Sequence, residues 1–167
     1  MDSYLLDTTV LSISLDPSDA RHLDVVKSLG SIPASSEQYI SAVALAELSF
    51  GIKLASALNK GMSPVLSSII SKAREYAVLD ISHHTSDAYA TLKTLMAVKY
   101  LAKPLRKNRP KYIEDWIDQA SGKPLGIDEN DLWMTAQAKE RGLTFLTADK
   151  KIHRISDADP DLSILFL

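Results

Sequence analysis

The 167-residue sequence predicts an α/β fold, a three-layer α/β/α sandwich with one parallel sheet covered on both faces by helices. Two observations predict it. Short apolar runs such as Tyr4-Leu5-Leu6 and Leu143 to Thr147 alternate along the chain with longer helix-forming runs. No repeat, low-complexity tract or Gly/Ser linker interrupts that alternation, so residues 1–167 are read as a single domain.

The elements follow in order. Tyr4 to Leu6 is a short buried strand ending at Asp7. Asp16-Pro17-Ser18-Asp19 is turn chemistry, with Ser18 or Asp19 placed to cap a helix to about Leu29. Gln38-Tyr39-Ile40 is strand-like, and Ser41 can cap the long helix AVALAELSFGIKLASAL. Ser63-Pro64 opens another helix towards Tyr76, with proline at a favoured first-turn position. Ala77-Val78-Leu79 reads as a third strand. Thr85 or Ser86 then starts a helix through about Val98, which leaves His83-His84 in the preceding loop. Tyr100 to Lys123 is the least regular stretch, and within it YIEDWIDQA can form a short amphipathic helix. A helix from Leu132 to Glu140, closed by Gly142, leads into the strand ending at Thr147 and its exit loop Ala148 to Lys151. Ser163 to Phe166 is the last strand.

Composition narrows the function classes. There are no cysteines, which excludes disulfides and thiolate metal sites. The net charge of −2 does not advertise nucleic-acid binding, so any such activity needs a local basic patch beside a bound cation. No apolar run reaches the roughly 20 residues needed to span a bilayer. The start, MDSYLLDTTVLSISL, lacks signal-peptide features, and a cytoplasmic location is the expectation.

The chemistry lies in isolated acids. Ligands of parallel sheets bind at the carboxyl ends of the strands, and that rule selects Asp7 and Asp149. Glu47 is embedded in an apolar helix with Val43, Ala44, Phe50, Gly51 and Leu54 at helical spacing, so it is expected to be buried. Asp131 opens a helix beside Asp128 and Glu129, and a helix N-terminus welcomes only an acid or two. Each acid alone has an ordinary reading as a cap or turn residue. Together, acids from separate elements that converge would repel unless a hard divalent cation sat between them.

Leu5-Leu6-Asp7-Thr8-Thr9-Val10, Ala46-Glu47-Leu48-Ser49-Phe50-Gly51, Asn130-Asp131-Leu132 with Ala136, and Gly142 to Asp149 resemble the successive motifs of the PIN-domain nucleases. The likeness is greatest to the VapC-type toxin ribonucleases of toxin–antitoxin pairs. That resemblance implies a metal site of Asp7, Glu47, Asp131 and Asp149, binding Mg²⁺ or Mn²⁺ and hydrolysing RNA. Thr9 and Thr147 would fix the loops, with Asp128 and Glu129 as capping or outer acids. It also implies a small antitoxin partner and a homodimer. Thr9 and Thr135 depart from the family's commoner residues, and Tyr100 to Lys123 is longer than usual.

Lys103, Arg106, Lys107, Arg109 and Lys111 form a basic stretch suited to phosphate or to a partner. Lys150, Lys151, His153 and Arg154 follow Asp149 and could also reach phosphates. Trp116 and Trp133 read as packing residues, and no histidine pair has zinc spacing. Two rivals stand beside the nuclease. One is a receiver-like phospho-switch using Asp80 and Lys150, and the other is an inactive PIN-like binding module.

Overall fold

The computed structural model describes residues 2–58 and 64–167. Strand β1 (Ser3–Leu6) is followed by α1 (Thr8–Leu15), α2 (His22–Gly30), β2 (Glu37–Ser41) and α3 (Ala42–Ala57). Then come α4 (Pro64–Ala73), β3 (Ala77–Leu79), α5 (His83–Tyr100) and the short α6 (Lys103–Lys107). The chain closes with α7 (Glu129–Arg141), β4 (Thr144–Thr147), α8 (His153–Ala158) and β5 (Ile164–Phe166).

The five strands form one sheet in the order β3-β2-β1-β4-β5, all parallel. Side chains alternate across it with the period of two that strands impose. Leu5 and Phe145 point into a core built by α5, α7 and the residues around Trp116. Leu6, Ile40 and Leu146 point into the opposite core, formed with α1, α3 and α4. The three-layer architecture is therefore the predicted one. From β1 the chain first winds outward to β2 and β3, then crosses back to β4 and β5. The order reverses between β1 and β4, and a crevice opens there at the strands' carboxyl ends.

Several local expectations hold. The Ser41 hydroxyl accepts from the Val43 amide and caps α3. Gly142 closes α7 in the left-handed region, with φ of 64°.

Others are corrected. The α2 helix has no side-chain cap, because Asp19 folds onto the Arg21 amide and guanidinium instead. The α5 helix starts at His83, capped by Ser82; Thr85 is the reciprocal partner of that cap, so His83-His84 form the helix's first turn. YIEDWIDQA yields one 3₁₀ turn, Ile113–Asp115, rather than a helix. Burial of Trp116, whose indole donates to the Pro110 carbonyl, holds this segment in an irregular path. The sequence pattern does not separately predict α1 and α8. Ser63 lies outside the described residues. Among those described, no helix is long and apolar enough to cross a membrane.

Candidate active site

Asp7 sits where β1 ends and α1 begins, its amide extending the ladder to the Leu146 carbonyl. It is only 2% exposed. The extended conformation of Asp7 suits a helix cap, yet its carboxylate completes no cap hydrogen bond. Instead Oδ2 accepts from the hydroxyls of Thr9 and Thr147, both at 2.6 Å. Burial pushes the Asp7 carboxyl above its ordinary value, and the Thr147 and Thr9 hydroxyls, with the nearby Thr9 and Thr8 amides, pull it back. The two threonine hydroxyls thus fix Asp7, as expected of them.

Asp131 lies on the first turn of α7. Its Oδ2 accepts from the Asp128 amide at 3.1 Å, while the Asp128 carboxylate accepts from the Asp131 amide at 2.8 Å, a reciprocal cap. Desolvation, then the charge of Asp128, pushes the Asp131 carboxyl up to about 7, with further push from Asp7 and Asp149. Acids from β1, α7 and the β4 exit loop therefore share one electrostatic neighbourhood.

Glu47 joins them differently from the expectation. It is half-buried rather than enclosed, because α3 turns Phe50 (65% exposed) and Leu54 (44% exposed) to solvent. Its position comes from hydrogen bonds: Thr8 Oγ1 donates at 2.7 Å and Asn130 Nδ2 at 2.8 Å. One carboxylate so ties α3 to α1 and α7. Asp149 caps the 3₁₀ turn Lys150–Ile152 through the Lys151 amide, and its own amide is held by Thr147 Oγ1.

A cleft of about 500 Å³ gathers Asp7, Glu47, Asp128, Asp131 and Asp149, with Arg21 and Lys151 as its cations. Among the described residues no three acids or histidines stand close enough together to hold a metal ion between them as they are. Glu129 turns the other way, to Lys93, Tyr89 and the Ile113 amide. The Thr135 hydroxyl bonds back to the Asp131 and Leu132 carbonyls inside the helix. Asp80 lies beyond edge strand β3, and the cleft lining does not include it. The basic stretch 103–111 likewise does not line the cleft. Sequence reasoning missed Arg21, Thr8 and the role of Asn130. Asp19-x-Arg21 after a Pro turn was the available signal for the first.

A family model described as PIN domain matches residues 4–158. The chain belongs to the PIN-domain family. Membership sets aside the receiver-like alternative.

Solved structures agree with this PIN fold. The chain is similar to the DNA-bound VapBC from Salmonella typhimurium, with a TM-score of 0.63, 18% identity and coverage of 99% of this chain and 98% of that one. It is similar to VapBC-5 from Mycobacterium tuberculosis, with a TM-score of 0.62, 18% identity and 100% of both chains covered. It also resembles VapC20 of Mycobacterium tuberculosis, described as a sarcin-ricin loop cleaving toxin. There the TM-score is 0.54 and the identity 12%, with 90% of this chain and 92% of that one covered. Comparison with curated proteins finds no match.

Proposed function

We propose that this PIN domain is a divalent-metal-dependent endoribonuclease, the toxin of a toxin–antitoxin pair. The observation that carries the reading is the set of acids from four separate elements facing one crevice at the sheet's switch point. They lie close enough that Asp7, Asp128 and Asp149 all raise the Asp131 carboxyl. Such a cluster is costly without a cation.

The donor set suits Mg²⁺ or Mn²⁺, which take carboxylate oxygens and water. Mg²⁺ keeps several waters and needs few direct protein ligands. Asp7, Glu47, Asp131 and Asp149 would hold the ion, directly or through water. When bound, it would lower the pKa of a water and stabilise charge building on a phosphodiester. The chain's own residues supply the rest. Thr9 and Thr147 keep Asp7 oriented, Thr8 and Asn130 keep Glu47 oriented, and the cap holds Asp131. Arg21, braced by Asp19, and Lys151 place positive charge where phosphates flanking the scissile bond would lie.

The solved relatives, VapBC complexes and a loop-cleaving toxin, support an antitoxin partner and an active nuclease over an inert module. A homodimer and a cytoplasmic location belong to the same proposal. The test is cleavage of end-labelled RNA by the purified protein with Mg²⁺ and with EDTA. Cleavage should need the metal, leave 5′-phosphates, and fall at least ~100-fold in Asp7→Asn. Cleavage undiminished in EDTA, or full activity in Asp7→Asn, would reject the assignment.

A further inference from the structure

The acidic cleft offers an RNA chain little to hold. Among the described residues only Arg21 and Lys151 line it as cations, and Arg21 is already paired with Asp19. A polyanion drawn to this end of the molecule needs positive charge elsewhere.

That charge is concentrated on one neighbouring surface. Between Thr94 and Ile113 the chain carries Lys99, Lys103, Arg106, Lys107, Arg109 and Lys111 and not a single acid. Among the described residues none of these six makes an ion pair, whereas Arg21, Lys72, Lys93, Lys139 and Arg141 all do. Arg106 donates to the Leu101 and Val98 carbonyls and Arg109 to the Arg106 carbonyl. These neutral partners fix the guanidinium groups without cancelling their charge. Both arginines line a second cavity of about 390 Å³ on α5, with Tyr89, Lys93 and Val98.

The surface lies beside the cleft. Lys93 donates to the Lys111 carbonyl and to Glu129, and the Glu129 amide donates to Glu114. Glu129 adjoins Asp128, which lines the cleft. The basic stretch is therefore tied, through Lys93, to the Glu129 side of the helix start whose Asp128 lines the cleft.

We propose that Lys107, Arg109 and Lys111, around the Arg106 cavity, form a phosphate-binding exosite for single-stranded RNA. The strand would run across the start of α7 into the cleft. The proposal rests on the ribonuclease reading of the cleft. Unpaired, exposed cations bind the sugar–phosphate backbone without regard to sequence, and each phosphate neutralised on a single strand adds about 0.7 to the salt slope. This surface would set affinity and direction of approach, and the cleft would do the chemistry.

The test is equilibrium binding of a fluorescent single-stranded RNA dodecamer to the full chain in EDTA, across a KCl series. Lys107→Gln with Arg109→Gln should weaken binding roughly 10- to 30-fold near 0.1 M salt and lower the salt slope by about 1.4. A charge-matched control, Lys27→Gln with Lys53→Gln, should change affinity less than about threefold. Both residue pairs are exposed, and circular dichroism is the check that each variant folds. Equal losses in the two variants, or none in the first, would overturn the exosite. So would an acidic peptide that binds more tightly than the RNA and loses its binding in the first variant. Failure of the cleft reading shows separately, as wild-type protein that binds RNA yet does not cleave it with Mg²⁺.

Discussion

Asp7 illustrates how much a single carboxylate depends on its immediate donors. It is buried at a strand end, where an unsatisfied charge costs several kcal/mol, and two threonine hydroxyls meet one of its oxygens. Thr147→Val keeps the shape and removes one donor. We expect it to lower stability by about 1–3 kcal/mol, read as a lower urea midpoint with an unchanged slope. Thr147 also holds the Asp149 amide, so activity should fall as well. Both threonines were legible beforehand as loop-fixing residues. Arg21 was not, because what turns it into the cleft is the fold of the loop after α1, which no periodicity encodes.

At the scale of elements, α7 answers why three acids crowd one helix start. Asp128 and Asp131 cap the helix reciprocally and face the cleft. Glu129 faces α5 and makes an ion pair with Lys93 at 2.5 Å, while accepting from Tyr89 and the Ile113 amide. Its carboxyl is held below the usual range because those donors outweigh the desolvation around it. Glu129→Gln should therefore cost about 1–3 kcal/mol in thermal or chemical unfolding. Metal-dependent cleavage should stay within about threefold of wild type at saturating Mg²⁺. A loss as large as that of Asp7→Asn would make Glu129 a cleft residue after all. Sequence spacing places these acids on one turn; which of them faces the cleft depends on how α7 packs against α5.

For the whole molecule, converging acids couple stability to protons and to metal. The Asp131 carboxyl titrates near 7 in the fold, against about 3.9 in an unfolded chain. The native state binds more protons across that window, so stability is greatest below it and declines as pH rises from about 4 to about 7. Asp7, also raised, acts in the same direction. In EDTA the protein should melt about 5 °C lower at pH 8 than at pH 5.5, and Asp131→Asn should flatten that difference. Mg²⁺ competes with these protons, so it should raise the melting temperature more at pH 8 than at pH 5.5. A wild type with a flat pH profile in EDTA would show that the acids do not feel one another. The calorimetric scan that measures one effect measures both.

The sequence by itself determined the parallel α/β layering, the strand ends at Asp7 and Thr147, and the ordered acids of the PIN motifs. Apolar periodicity and cap chemistry are local, and they survive folding nearly unchanged. Only the tertiary structure decided that Glu47 is a half-exposed residue steered by Thr8 and Asn130, that Glu129 leaves the cleft, and that the basic stretch lies beside it. Those outcomes turn on the angle at which helices pack and the path a loop takes over a buried tryptophan. Contacts between residues tens of positions apart set both, and no short stretch of sequence carries them.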